Sequence, residues 1–226
     1  MRNLLLIIML SAFGAVAGCA TTPSTPAEQK NESPVIAMIR KIMPESPQAK
    51  RKKLMDRLAS SDADQRREGV LMLADKEPAQ WDVTPRILSI MAQGDPNPQV
   101  RTAAVNVLAQ LDRPEELMTT LSATSRDESP QVRMETLRVL ADQNNTEASA
   151  ILLERLQKDP DASIRSEAAQ QLSRFPQNNV ISALISALSD DEFAVTYEAR
   201  HSLKTITGED FNYDAGAWRN YLKSCS

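Results

Sequence analysis

The chain has very few of the side chains on which most catalytic and metal sites depend. Its 226 residues include one histidine, His201, and two cysteines, Cys19 and Cys225. No His/Cys cluster has the spacing of a zinc site, and His201 is the only histidine that could serve as the base of a triad. The sequence also lacks a P-loop and a dinucleotide-binding glycine fingerprint. We therefore predict no catalytic residue, no metal and no cofactor, and a protein that is not an enzyme.

Aromatic residues and glycines are also scarce. Aromatic side chains make up 4% of the chain, and there are six glycines. Strand patterns are nearly absent, whereas Leu, Ala, Gln, Glu and Arg are abundant, and this composition favours helices. The net charge of −4 and the isoelectric point near 5.2 argue against a general nucleic-acid binder. The composition therefore predicts an all-α protein that does not bind nucleic acid.

One short motif recurs at a fixed spacing. An aspartate is followed six residues later by an arginine, with an apolar residue just before the arginine, in the clear copies Asp95/Arg101, Asp127/Arg133 and Asp159/Arg165. The arginines are 32 residues apart. A degenerate copy has Asp190 and Thr196 in these places, and an earlier copy ends at Arg66, 35 residues before Arg101. A period near 32 is typical of a solenoid.

Each copy of the motif begins a helix with one apolar stripe. Three places after the arginine stand the small residues Gly69, Ala104, Thr136, Ala168 and Ala199, and seven places after it stand Leu73, Leu108, Leu140, Leu172 and Leu203. Positions four apart lie on one face of a helix, where the small residue admits a neighbouring helix and the leucine fills the adjacent space. A second apolar run precedes each aspartate, so that each copy is a helical hairpin. One hairpin cannot bury its apolar face alone, but about five stacked hairpins can.

The motif resembles the HEAT-repeat family, especially the short bacterial HEAT-like repeats also found in phycobilisome lyase proteins. The matching residues are Asp95, Val100, Arg101, Ala104 and Leu108, with their counterparts in later copies. The resemblance covers roughly residues 46–205 and implies an all-α, right-handed α-solenoid with a concave recognition face. It does not identify a function, because the same scaffold serves many roles.

The beginning of the chain predicts export. Arg2 precedes an apolar run from Leu4 to Ala17, which is too short for a comfortable transmembrane span. The run ends in Val16-Ala17-Gly18-Cys19, which resembles a bacterial lipobox. The resemblance implies cleavage of residues 1–18 as a signal peptide and acylation of Cys19, and Ala20 implies the periplasmic face of the outer membrane. The alternative is an ordinary secretory signal with a chance cysteine.

The rest of the chain divides into three predicted parts. Residues 19–34 begin with the lipidated cysteine. The residues that follow it have no apolar pattern, which predicts a flexible tether. Residues 35–204 form the predicted solenoid, and residues 205–226 form a C-terminal segment containing Phe211, Tyr213, Trp218 and Tyr221. This segment is similar to a closing segment of some bacterial HEAT-like proteins. We interpret it as a cap on the last apolar face, with an aromatic binding pocket as the alternative.

The charged repeat positions have a structural interpretation. Their spacing indicates inter-repeat ion pairs and helix caps, each stabilising the fold by about 0.5–1 kcal/mol. The dense basic run Lys50–Lys53 has two interpretations, a solvated helix face or a contact with anionic lipid. We interpret Trp81 as a packed residue between the first two hairpins, and Cys225 as an incidental thiol near the chain end.

The remaining candidates are polar and aromatic residues of the second helix in each hairpin. Those predicted to face outwards are Asn106, Arg138, Gln170, Gln171, Tyr197 and His201. By the family resemblance, this face would bind an envelope protein or peptide; the alternative is plain solvated surface. The predicted function is thus a non-catalytic scaffold anchored in the cell envelope. Two alternatives stay open, an envelope hydrolase or lyase that uses groove carboxylates, and a structural protein that self-associates.

Overall fold

The computed structural model describes residues 34–42, 49–75 and 78–224, and all regular structure in these ranges is helical. Two short 3-10 turns, at Pro78–Gln80 and Leu172–Arg174, accompany twelve α-helices. The α-helices are α1 (Pro34–Ile42), α2 (Ala49–Leu58), α3 (Ala63–Met72), α4 (Thr84–Gly94), α5 (Pro98–Ala109), α6 (Pro114–Thr124), α7 (Pro130–Gln143), α8 (Thr146–Lys158), α9 (Ala162–Gln171), α10 (Asn178–Ala187), α11 (Phe193–Thr207) and α12 (Ala215–Ser224). The predicted signal peptide, Cys19, tether residues 20–33 and Cys225 lie outside the described residues, whereas Pro34, the last residue of the predicted tether, begins α1.

The helices from α2 to α11 form five consecutive hairpins. We call the first helix of each hairpin the A helix and the second the B helix, so that the B helices are α3, α5, α7, α9 and α11. Successive B helices pack against one another along the whole series. At the two ends, α1 packs against α4 and α12 packs against α10. The predicted all-α solenoid of about five hairpins is confirmed.

The apolar stripe of the B helices forms the centre of the core. In α5, Val100, Ala104 and Leu108 are fully buried, and the corresponding residues of α7, α9 and α11 are buried as well. The first repeat shows why the middle position is small: a Cβ added to Gly69 would lie 3.0 Å from the backbone nitrogen of Leu58 in α2. The small residue thus sets how closely two helices can approach.

The last hairpin continues beyond its predicted end. Helix α11 runs to Thr207, so the predicted boundary after residue 204 lies within it. The helix ends where Gly208 adopts a left-handed conformation with φ of 77°. Glycine accepts this conformation without steric cost, and it is therefore the residue that stops the helix.

An Arg–Asp ladder joins each hairpin to the next. The arginine of one repeat forms two parallel hydrogen bonds with the aspartate of the following repeat, in the pairs Arg66–Asp95, Arg101–Asp127, Arg133–Asp159 and Arg165–Asp190. In Arg133, Nε and Nη2 each lie 2.9 Å from a carboxylate oxygen of Asp159. Nη1 of Arg133 also donates to the backbone carbonyl of Asp127 in its own repeat, at 2.8 Å. One guanidinium group therefore fixes two consecutive loops.

The aspartates do not cap the starts of the B helices as predicted, although Asp95 and Asp159 are the C-cap residues of α4 and α8. The residues at the N-caps of the B helices stand two places later, as Asn97, Ser129, Asp161 and Glu192. Each ladder aspartate instead accepts a hydrogen bond from the backbone N–H of that N-cap residue, which closes the turn between the two helices.

The predicted energy of about 0.5–1 kcal/mol for each pair assumed exposed ions, whereas the first three pairs are buried. The side chain of Asp159 is fully buried, and that of Arg133 is 8% exposed. Removing one partner of a buried ion pair leaves a charge without compensation, which costs about 3–5 kcal/mol.

Candidate partner-binding surface

The outward face of the B helices carries the six residues predicted to bind a partner, and their exposure differs. Gln170 and His201 are exposed, whereas Asn106 and Gln171 are half-buried. Asn106, Arg138, Gln170 and His201 occupy the same place in four successive repeats, five residues after the ladder position. The solenoid therefore aligns them along one row.

Two of the six residues are joined by a carboxylate that the sequence analysis did not single out. Nε of Arg138 donates to Oε1 of Glu167 on the next B helix at 3.1 Å, and Nε2 of Gln171 donates to the same oxygen at 2.8 Å. The hydrogen bond from Arg138 to Glu167 raises the pKa of the arginine. Arg138 therefore already has a partner within the chain, and it holds α7 and α9 together.

The most exposed apolar part of this face lies on the last B helix. Phe193 and Tyr197 of α11 and Tyr213 of the following turn are 70%, 46% and 41% exposed. The ring centroid of Phe193 lies 6.1 Å from that of Tyr197 and 6.5 Å from that of Tyr213. His201 is exposed one helical turn after Tyr197. We call Phe193, Tyr197 and Tyr213 the terminal aromatic surface.

An ion pair holds Tyr213 beside the two aromatic residues of α11. Arg200 donates from Nε and Nη2 to the two carboxylate oxygens of Asp210, at 3.0 and 2.7 Å. The carboxylate also accepts the N–H of Asn212 at 3.0 Å, and the guanidinium carbon of Arg200 lies 5.4 Å from the centre of the Tyr213 ring. The hydrogen bond from Arg200 lowers the pKa of Asp210 to about 2. The turn that carries Tyr213 is thus fixed to α11.

We expect this ion pair to survive mild acid. The folded-state pKa of Asp210 lies below the unfolded value of about 3.9, so the ionised carboxylate stabilises the fold above that pH. This stabilisation is lost as the pH falls through the folded-state value of about 2. Carbon-13 NMR of the Asp210 carboxyl group should give a midpoint well below 3.9, and the Tyr213 ring signals should follow it. A midpoint near 3.9 would contradict the ion pair, and Asp210→Asn is the control in which the Tyr213 signals lose this dependence.

Sequence reasoning identified Tyr197 and missed the rest of the terminal aromatic surface. Phe193 occupies the first position of its B helix, where the earlier repeats have Pro98, Pro130 and Ala162. An aromatic residue at a place that holds a proline or an alanine in these copies was a signal in the sequence. Tyr213 was assigned to the cap together with its aromatic neighbours, because no sequence pattern shows which way a turn residue points.

The other three C-terminal aromatic residues form the cap. Trp218 of α12 is fully buried, and its Nε1 donates to the carbonyl oxygen of Asn212 at 3.0 Å. Its ring meets Phe211 edge-on with a centroid distance of 4.9 Å, and Tyr221 lies 5.6 Å from Phe211. Three of the four C-terminal aromatic residues therefore close the end of the core, and Tyr213 alone joins the exposed surface.

At the opposite end of the stack, Trp81 and the basic helix α2 are in contact. The guanidinium carbon of Arg51 lies 4.6 Å from the centre of the Trp81 ring. Trp81 is half-buried and packs against the core, which agrees with its predicted structural role. Lys52 and Lys53 are exposed on the other side of α2.

The described carboxylates give no support to a hydrolase or lyase. A catalytic acid pair requires a carboxyl group with a raised pKa, and the shifts resolved for Glu154, Asp190 and Asp210 are all downward, each because an arginine donates to the group. A polar depression of about 480 Å³ includes Asp95, Arg101 and Asp127 in its lining. These are members of the Arg–Asp ladder, so they are already paired.

The described residues show neither a metal-binding cluster nor a membrane-spanning helix. They contain no group of three or more His, Cys, Asp or Glu side chains arranged to hold a metal ion. None of their helices combines the length and apolar character needed to cross a bilayer.

Comparison with known proteins finds a similarity to HEAT repeats over part of the chain. No curated protein sequence matches the chain. Among solved structures, the crystal structure of an engineered protein is similar with a TM-score of 0.48 and 17% identity, covering 78% of this chain and 86% of that one. The family model of HEAT repeats matches residues 117–204, a stretch that begins in α6 and ends in α11.

Proposed function

We propose that this chain is a lipid-anchored, non-catalytic scaffold that binds an envelope protein or peptide through its terminal aromatic surface. The observation that carries the proposal is the exposure of Phe193, Tyr197 and Tyr213 side by side on the last hairpin. Aromatic residues are rare in this chain, yet the side chains of these three are exposed to solvent and are not part of the core. Adjacent exposed apolar side chains are a common mark of an interaction site.

The chemistry of the surface suits a protein partner. Tyrosine and phenylalanine are enriched in the centres of protein interfaces, where a large ring is buried with little loss of side-chain freedom. Each tyrosine also offers a hydroxyl group for hydrogen bonding. Arg200 and Asp210 hold Tyr213 in place before a partner arrives, so less conformational freedom is lost on binding. HEAT repeats commonly mediate protein–protein interaction, which agrees with this assignment.

Anchoring at Cys19 is the second part of the proposal. It is supported by the lipobox-like sequence at residues 16–19 and by the apolar run before it. A lipid anchor would hold the solenoid at the membrane surface and raise the effective concentration of any partner in the same membrane. Ala20 favours the periplasmic face of the outer membrane.

Site-specific photo-cross-linking tests the binding surface. The cross-linker p-benzoylphenylalanine replaces Phe193 in one variant and Thr119 in the other, in cells that express the full-length chain. Thr119 is exposed on α6, an A helix, and serves as the matched control. We expect an adduct of one defined mass from position 193 and none from position 119. Equal adducts from both positions, or none from either, would contradict the proposal.

The same experiment separates the self-association alternative. If the partner is a second copy, the adduct has twice the mass of the mature chain and contains only its peptides. Such a result would replace the scaffold proposal by a structural protein that self-associates.

A further inference from the structure

Helix α2 concentrates positive charge in a chain that is acidic as a whole. Its sequence, AKRKKLMDRL, contains five basic residues and one acidic residue, against a net charge of −4 for the complete chain. It belongs to the first hairpin, and therefore to the end of the solenoid that follows the predicted anchor. Helix formation alone does not explain why the basic residues are concentrated in this one helix.

The arginines of α2 have partners within the fold, whereas Lys52 and Lys53 are exposed. Arg51 covers the ring of Trp81, and Arg57 forms an ion pair with Glu68 of α3 at 2.6 Å. Leu54 and Leu58 are buried on the same side of the helix as Arg51. Lys52 and Lys53 point away from this packed side, and neither forms an ion pair with any residue that the structure describes.

The orientation of α2 is fixed by the packing of its other face. Leu54 and Leu58 are each 1% exposed, and the guanidinium of Arg51 lies against Trp81. The helix cannot rotate to point the two lysines elsewhere without exposing these apolar groups, at about 25 cal/mol for each Å² of apolar surface. The outward face is therefore a fixed arrangement of Lys52 and Lys53 with Asp56 beside them.

The position of α2 in the chain places this face near the membrane if Cys19 is anchored. Fourteen residues separate Cys19 from the first residue of α1, and such a stretch spans at most about 50 Å. The first hairpin follows shortly after, so its basic helix can reach the lipid surface. An exposed lysine near an anionic surface is attracted to it, and the attraction fades within about one Debye length.

We propose that the outward face of α2, through Lys52 and Lys53, contacts anionic lipid headgroups and so orients the solenoid on its membrane. The inference rests on the anchoring part of the proposed function and is independent of the terminal aromatic surface. The chain then has two points of attachment to the membrane, the lipid on Cys19 and the outward face of α2. With the first hairpin held at the membrane, the terminal aromatic surface lies at the other end of the stack of repeats, away from that attachment.

Lysine acetylation footprinting tests the contact. The mature lipidated protein is reconstituted into vesicles of phosphatidylcholine alone, or of phosphatidylcholine with an equal part of phosphatidylglycerol. Mass spectrometry then measures the acetylation rate of each lysine. We expect Lys52 and Lys53 to react roughly fivefold more slowly on the anionic vesicles, which corresponds to about 1 kcal/mol for each lysine. Lys158, exposed at the end of α8, is the internal control and should react equally on both.

A matched variant sharpens the test. Asp56 lies one turn after Lys52 on the exposed face, and Asp56→Asn removes its repulsion of the lipid without removing either measured lysine. The variant should show stronger protection than the parent chain, and added salt should abolish protection in both.

The outcomes separate the two proposals. Vesicles that fail to retain the protein contradict the anchor itself. Retention with equal labelling of Lys52, Lys53 and Lys158 on both kinds of vesicle overturns the lipid contact while the anchor stands. Protection that appears in native membranes but on neither kind of vesicle assigns the two lysines to an acidic protein and also overturns the lipid contact.

Discussion

Asp159→Asn should destabilise the folded chain by about 3–5 kcal/mol. The substitution keeps the size of the side chain, and its amide oxygen still accepts the N–H of Asp161 that Asp159 accepts at 3.1 Å. It removes the negative charge and puts an NH2 group in place of the oxygen that accepts from Nε of Arg133. Urea unfolding at neutral pH, followed by circular dichroism, measures the loss as a lower midpoint with an unchanged slope.

The large effect follows from burial and from the number of cations that one carboxylate compensates. Arg133 binds Asp159 with two hydrogen bonds, and Nη1 of Arg155 lies 3.5 Å from the same carboxylate. All three side chains are almost inaccessible to water. Without the carboxylate, the guanidinium group of Arg133 has no anionic partner in a low-dielectric interior, and Arg155 keeps only its ion pair with Glu154 at 2.9 Å.

The matched control is Asp190→Asn in the last pair of the ladder. Arg165 and Asp190 form the same two hydrogen bonds at 2.9 Å, but their side chains are 18% and 15% exposed. Water therefore solvates part of the remaining charge, and the expected cost is about 1–2 kcal/mol. Equal losses from the two substitutions would show that burial does not set the strength of the ladder.

Trp218→Ala should remove the cap and destabilise the last hairpin by about 3–5 kcal/mol. Trp218 of α12 is fully buried, and its ring packs against the rings of Phe211 and Tyr221. In a solenoid each repeat contacts only its neighbours, so the loss should be largest near the C-terminal end. Hydrogen exchange should accelerate in α10, α11 and α12 and change little in α4 and α5.

Tyr213→Ser is the matched control for the cap. Tyr213 comes from the same C-terminal segment, but it is 41% exposed and contacts Phe193 rather than Trp218. Its substitution should change stability by about 0.5 kcal/mol or less. If both substitutions destabilise the chain equally, the division of the C-terminal aromatic residues between cap and surface is wrong.

The repeat architecture could be predicted from the sequence because it depends on local periodicity. The small residue and the leucine at fixed distances from Arg101 and Arg133 define one helix face, and the period of 32 defines the hairpin. The chain also shows where such reasoning stops. The spacing of Asp127 and Arg133 predicted ion pairs between repeats, but only the structure shows that Arg133 also donates to the carbonyl oxygen of Asp127 in its own copy while it binds Asp159.

The candidate surface was predicted only in part, for a related reason. Exposure along a B helix follows from its periodicity, which is why Tyr197 and His201 were identified. Phe193 stands at the start of a helix and Tyr213 stands in a turn. No periodic pattern predicts that either side chain lies beside Tyr197. The pairing of Arg138 with Glu167 was equally hidden, because Glu167 lies on the next B helix.

The central claim is that the last hairpin binds a protein partner through its exposed aromatic residues. Photo-cross-linking from position 193, in intact cells and with position 119 as the control, tests it most directly. The account predicts a single adduct from position 193 whose extra mass belongs to one envelope protein or peptide, with no such adduct from position 119. An identical pattern of adducts at both positions, or no adduct at position 193, would contradict it.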